Sequence, residues 1–449
     1  PASSSMVSSS VDPVEHGSGD GVIVKVAHSL PGNATLVTAD KERPGVAEKS
    51  AAKEALKFAL LVWFVMRVLL SGWGAVVLVT GNPQSFENAR LAYPDARHPD
   101  RDFYGMTVGL WNVYDTHHYS LIAEHGYEID PHWHTAYFPG LPLMIKLVNL
   151  ITFGDSILSG LLIANFSAII FFWYLYRLVE PEYGAAAARR AVVFSAVFPV
   201  SFFLFVGYVE STFLAATVSA FYYARASKWW LAGLLGGLAA LLKQPGVFLS
   251  VPFAYMYLRD QGGRLGIEHP LGLLKRPVAL IKTWQWLWLL LVPAAAGAYT
   301  LYRYLFIKAP IAGAMDLGGQ ETLLFPGEPL LRALAQVRAD NPMLPLNLMD
   351  IFFTLLLVLL AVGVMVKVKE VELRLYTLML LAANLCLTMY TYIYRPEVNV
   401  PRRTLIIFPI FIFLGIVIQR PRTFRLTSVL SLLACVLLSG MWVMWVFVS

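Results

Sequence analysis

The chain has 449 residues, 57% of them hydrophobic and 14% charged, and its mean hydropathy is +0.60. Those proportions exclude an ordinary soluble globular protein and imply many membrane spans. The net charge of +6 comes from basic residues set between apolar runs, with no continuous patch, so it points to basic loops at a membrane and away from nucleic acid as a partner.

Residues 1–50 are rich in Ser, Gly, Val, Asp and Pro and lack apolar periodicity. Without a basic start leading into an apolar core, they read as a disordered cytoplasmic tail, not a signal peptide. The Asn33-Ala34-Thr35 sequon carries no weight there. Beyond the tail, apolar runs of the length that crosses the hydrocarbon layer fall at 55–80, 155–178, 188–206, 210–224, 229–243, 247–258, 279–306, 347–368, 373–394, 403–418 and 426–448. This makes about eleven spans, several of the central ones short enough to tilt or penetrate only partly. Lys and Arg collect in alternate loops, from Lys49 and Lys53 through Arg177, Arg189, Arg190, Arg225 and Lys228 to Arg420, Arg422 and Arg425. All these loops fall on the cytoplasmic side if 137–153 is a membrane-surface helix that does not cross. Asp115, Tyr208, Glu210, the Lys243-Gln244-Pro245-Gly246 turn, the 307–346 loop and the 395–403 segment then share the outer face.

Among polar residues inside spans, Arg67 must face protein or water, since a lipid-facing charge there costs roughly 2.5–3.5 kcal/mol on insertion scales. Asn165 and Asn384 suit helix–helix hydrogen bonds, and Gly233, Gly236 and Gly237 suit close helix contacts. Cys386 and Cys435 lie in apolar stretches, which argues against a disulfide or zinc site. No P-loop, dinucleotide signature or His/Cys metal spacing occurs. No cofactor is expected, and a divalent metal is left open.

The chemistry concentrates in Tyr114-Asp115-Thr116-His117-His118-Tyr119, running on to Ile122-Ala123-Glu124 and Gly126-Tyr127, with Tyr137-Phe138-Pro139 ten residues later. A carboxylate, a histidine and aromatics at a membrane surface fit chemistry on a lipid-linked substrate. Taken singly, Asp115 reads as a solvated loop aspartate, His118 as a hydrated surface histidine and His117 as merely exposed. Glu210 is costly at the membrane boundary unless it is functional or paired, with Lys243 or Arg403 as partners.

These segments resemble the PIG-V-like mannosyltransferases of the GT-C class. The motif is carried by Asp115, His118, Tyr119, Ile122, Ala123, Glu124, Gly126, Tyr127, Phe138 and Pro139. A second block comprises Pro199, Ser201, Phe203, Tyr208, Glu210 and Ser211, then Trp230-Leu231-Ala232-Gly233-Leu234 through to Lys243, Pro245 and Gly246. Two positions depart from the pattern: Tyr114 stands where the family commonly has Trp, and Lys243 where Arg is more usual. The resemblance implies an all-α polytopic membrane protein of GT-C fold. Its catalytic module would span 51–260, with the first outer loop at 81–154, followed by a variable bundle at 261–449. The implied donor is polyprenyl- or dolichyl-phosphate mannose, whose sugar passes with inversion to a hydroxyl of a glycolipid, glycan or protein. Asp115 is then the general base. Lys243 and Arg403 would steady the departing phosphate, Arg403 being preferred to Arg402 because it stands nearer the span. His118, Tyr119, Glu124, Tyr208 and Glu210 would contact donor or acceptor. The expected setting is a bacterial plasma membrane, or the endoplasmic reticulum in a eukaryote. Another lipid-phosphate sugar such as arabinose or glucose, a transporter or flippase, and a lipid-binding scaffold are the alternatives.

Overall fold

The computed structural model describes residues 44–92, 99–128, 134–264, 284–308, 321–389 and 393–448, and from Glu48 onward they form one unit. Most of the expected tail, with its sequon, lies outside these residues, as do positions 309–320 of the 307–346 loop. Among the described residues, five helical stretches are long and apolar enough to cross a bilayer: 49–80, 156–197, 284–307, 344–367 and 421–443. The rest of the eleven expected segments are shorter. At a rise of about 1.5 Å per residue, a helix of 14–16 residues covers only some 21–24 Å against a hydrocarbon layer of about 30 Å.

Helix α1 (Pro44–Thr80) shows how lipid inverts the usual pattern. Ala55, Ala59, Met66 and Leu70 form the stripe packed on protein, while Leu61, Phe64, Val65 and Val68 face outward. Two short helices, α2 (Pro83–Ala92) and α3 (Phe103–Thr107), lead to α4 (Asp115–His125). Helix α5 (Gly140–Val148) follows, and at nine residues it is too short to cross. It buries Leu141 and Ile145 and exposes Leu143 and Leu147.

Helix α6 (Ser156–Val197) turns back on itself at Gly184, whose φ of 79° is glycine territory, so one element contains both expected spans 155–178 and 188–206. Its second arm stops at Val197, and the chain reaches α7 (Glu210–Arg225) through a buried 3₁₀ turn at Ser201–Leu204. Helix α7 is buried on nearly every side, its small polar residues Ser211, Thr212, Thr217 and Ser219 included. The tight turn into α8 (Trp229–Leu242) makes the pair antiparallel and brings Glu210 and Lys243 to the same end. The small residues of α8 admit the next segment closely. A Cβ on Gly233 would lie 2.2 Å from the Trp288 carbonyl oxygen, and one on Gly236 2.8 Å from Val292.

The remaining helices are α9 (Ser250–Arg264), α10 (Leu291–Tyr302), α11 (Glu328–Ala335), α12 (Leu344–Lys367), α13 (Val371–Cys386), α14 (Val400–Leu405), α15 (Pro409–Val417) and α16 (Pro421–Val443). The expected span 403–418 is thus broken before Pro409. One small ribbon departs from the all-helical expectation: β1 (Glu321–Leu323) pairs antiparallel with β2 (Leu387–Met389), Thr322 opposite Thr388.

Two polar fastenings cross the bundle. Arg67 donates to the Phe205 carbonyl at 2.8 Å and lies 5.2 Å over the Trp111 ring. Asn165 donates to the same carbonyl at 3.1 Å and accepts from Trp63 at 3.0 Å. Asn384, by contrast, donates within its own helix to Leu380. At the Arg225 end of α7, Arg225 and Arg259 share Glu372, Arg225 also pairs with Glu370, and Tyr183 donates to Glu370. Arg225 and Arg259 therefore meet about 24 Å, the length of α7, from the end that carries Glu210.

Candidate active site

Helix α4 starts at Asp115, so its carboxylate sits in the first turn, where the helix dipole favours negative charge. Two contacts hold the carboxylate: the Tyr137 hydroxyl donates to Oδ1 at 3.1 Å, and the Arg402 guanidinium pairs with Oδ2 through Nη1. The backbone N–H of Asp115 donates to the Tyr208 hydroxyl at 3.2 Å. Burial, and next the charge of Asp115, hold the Tyr137 phenol well above its ordinary range, so it remains a donor.

Arg402 also donates through Nε to Glu210 Oε1 at 2.5 Å, and Lys243 Nζ donates to the same oxygen at 2.6 Å. Two carboxylates and two cations therefore form one chain: Asp115, Arg402, Glu210, Lys243. Exposure divides it. The Glu210 side chain is wholly buried, whereas Asp115, Arg402 and Lys243 retain 14%, 11% and 19% of their side-chain surface. One carboxylate and two cations thus keep a small margin of exposed surface, while Glu210 keeps none.

Local structure accounts for each position. Glu210 opens α7, while Lys243 follows α8 in extended conformation and leads into a 3₁₀ turn at Gln244–Leu249. That turn closes tightly, since a Cβ on Gly246 would come within 2.5 Å of the Ala239 backbone. The Arg402 guanidinium lies 4.7 Å over the Tyr208 ring and 5.7 Å over Phe203. Tyr208 is stacked on Phe203 at 4.9 Å and meets Trp442 edge-on at 5.8 Å.

Several sequence expectations change here. Arg402, not the preferred Arg403, joins Asp115 to Glu210. Neighbouring side chains on a helix diverge by about 100°, so Arg403 leaves its helix in a different direction. Glu210 takes Lys243 as a partner, as its structural reading allowed, and Arg402 as the second. His117 is buried, not exposed. His118 lies beside His134 and Tyr137, with ring centroids 5.5 and 5.2 Å apart, one turn along from Asp115. Tyr119 is buried and braces Tyr137 edge-on at 5.0 Å. Glu124 sits at the far end of α4, exposed and 3.8 Å from His125, away from the cluster.

Tyr137 was missed as a site residue although it fills the aromatic slot before Phe138-Pro139. Trp442 and the buried Asp350–Arg395 pair carried no sequence signal. Among the described residues, no group of three or more His, Cys, Asp or Glu side chains is arranged to hold a metal ion.

Fold and site together describe a polytopic, helical membrane protein with a charged cluster at one end of its bundle. Residues 134–288 match the family described as dolichyl-phosphate-mannose-protein mannosyltransferase. That stretch contains Tyr137, Tyr208, Glu210 and Lys243 but neither Asp115 nor Arg402. The chain is also similar to GPI alpha-1,6-mannosyltransferase 2 of Homo sapiens, 28% identical over 220 residues, covering 47% of this chain and 43% of the relative. The Cricetulus griseus protein of that name is 27% identical over 215 residues, covering 45% and 41%. The Mus musculus protein is 28% identical over 214 residues, covering 43% and 40%. The chain thus spans about two-fifths of the length of the curated relatives it matches.

Proposed function

We propose that the protein is an inverting mannosyltransferase of the GT-C type, using a polyprenyl- or dolichyl-phosphate mannose donor at the outer membrane face. The observation that carries this reading is the joining of a carboxylate, Asp115, to two cations, Arg402 and Lys243, through the buried Glu210 at one end of the bundle. The similarity to mannosyltransferases supports the sugar.

In this reaction the acceptor hydroxyl gives its proton to Asp115 while its oxygen forms a bond to the sugar C1. The bond from C1 to the phosphate oxygen breaks, and the electron pair leaves on the lipid phosphate. Attack opposite the leaving group converts a β-linked donor sugar to an α-mannoside. Arg402 and Lys243 offset the charge that develops on the departing phosphate, and Tyr137 fixes the orientation of the carboxylate. While Arg402 is paired with Asp115 it also lowers that group's basicity. Transfer of Arg402 from the carboxylate to the donor phosphate would free the base once the donor is bound.

The test is incubation of the purified protein in liposomes with labelled lipid-phosphate mannose and a membrane glycolipid extract. Labelled α-mannoside in the acceptor fraction is expected. Transfer from the arabinose or glucose donor instead would overturn the choice of sugar, and donor crossing the bilayer without transfer would replace the enzyme by a transporter.

A further inference from the structure

Asp115 and Arg402 lie 287 positions apart in the chain, yet the segments carrying them are tied to the same short stretch, residues 445–448. On one side is Tyr114, whose φ of 49° is a left-handed conformation that costs a non-glycine residue energy. Its side chain is held there. The hydroxyl donates to the Trp445 carbonyl, and the ring meets Trp445 and Phe447 at 5.3 and 5.0 Å. On the other side is Arg395, seven residues before Arg402. It grips Asp350 through Nε and Nη2 at 2.8 and 2.9 Å and donates through Nη1 to the Phe447 carbonyl at 2.6 Å. Val448 is fully buried and Trp445 is itself left-handed, with φ of 61°.

We propose that segment 445–448 is a strap setting the spacing between Asp115 and Arg402, with Tyr114 and Arg395 as its positioning residues. This rests on the mannosyltransferase reading for its catalytic consequence, not for the mechanical link. Tyr114 leaves α4 only one orientation at its first turn, and Arg395 fixes the approach to α14. A shift of either changes the distance between base and phosphate-binding cation without removing a group that touches substrate.

Tyr114→Phe keeps the ring and removes the hydroxyl. Arg395→Lys keeps a cation for Asp350 but cannot reach the Phe447 carbonyl at the same time. Each variant should lower kcat by roughly 10-fold, within the range that small misplacements produce, with donor KM changed far less. Each should also speed amide hydrogen exchange at 112–118 and 393–403 but not in α9. A merely structural contact would lower the melting temperature while leaving kcat per folded molecule unchanged, and that result overturns the strap. Unchanged exchange at 393–403 in both variants overturns it too. If the wild-type protein transfers no mannose, the functional reading fails while hydrogen exchange still decides the mechanical link.

Discussion

Glu210 is the residue on which the charge balance turns. Its side chain is fully buried, and one of its oxygens receives both Lys243 and Arg402. Removing one partner from such a group typically costs roughly 3–5 kcal/mol, because the opposing charges stay buried and uncompensated. Glu210→Gln should therefore lose stability on that scale, seen as a large drop in melting temperature of the detergent-purified protein. An unchanged melting temperature would show that the cations do not depend on this carboxylate. The partnership with Lys243 was legible in the sequence, since two short apolar segments joined by a tight turn return to the same end. The choice between Arg402 and Arg403 was not. It depends on the rotational phase of the six-residue helix α14, which begins after Asn399 in a left-handed conformation that no pattern in the sequence announces.

At the scale of elements, the first turn of α4 is set against the chain that leads into α7. A Cβ on Gly207 would lie 2.7 Å from Thr116 Cγ2 and 3.3 Å from its Oγ1, one residue beyond Asp115. Gly207→Ala should push that turn aside and reduce turnover roughly 10- to 100-fold, the loss that a misplacement of about 1 Å can bring. Thr116→Ser in the same chain removes the clashing methyl group and should restore much of the activity. Failure of this rescue would mean that Gly207 acts through something other than the position of α4. The same scale shows where apolar runs mislead. Length and hydropathy located α6, but its reversal at Gly184 and the end of its second arm at Val197 follow from backbone geometry. The 3₁₀ turn that follows buries Phe202 and Phe203 as deeply as any helix does, so composition alone counts it as span. Tyr137 was legible as a motif aromatic, yet its bond to Asp115 depends on how residues 134–139 lie against α4.

For the whole molecule, solvent explains both what could be read and what could not. Lipid lets apolar side chains face outward, so hydropathy marks membrane segments but does not separate a lipid-facing helix such as α1 from a core helix such as α7. The count of full-length crossings was therefore less readable than the class of fold. Part of the charge placement was readable, since Arg225 and Arg259 lie at the end of α7 opposite Glu210, as their alternate loops suggested. What no local pattern could reveal is the contribution of residues 442–448, which lie far along the chain from Asp115: Trp442 against Tyr208, and the strap against Tyr114 and Arg395.

The central claim is that Asp115 removes the proton of the acceptor, and Asp115→Asn tests it in one measurement. The substitution keeps the shape of the side chain and its oxygen for Tyr137 but leaves Arg402 with Glu210 as its one carboxylate in the cluster, so a folded protein with a lowered melting temperature is expected, and turnover is compared per folded molecule. Turnover of lipid-phosphate mannose in liposomes should fall by ~10²–10⁴-fold, the range for a positioned general base. Turnover close to that of the unaltered protein would contradict the assignment.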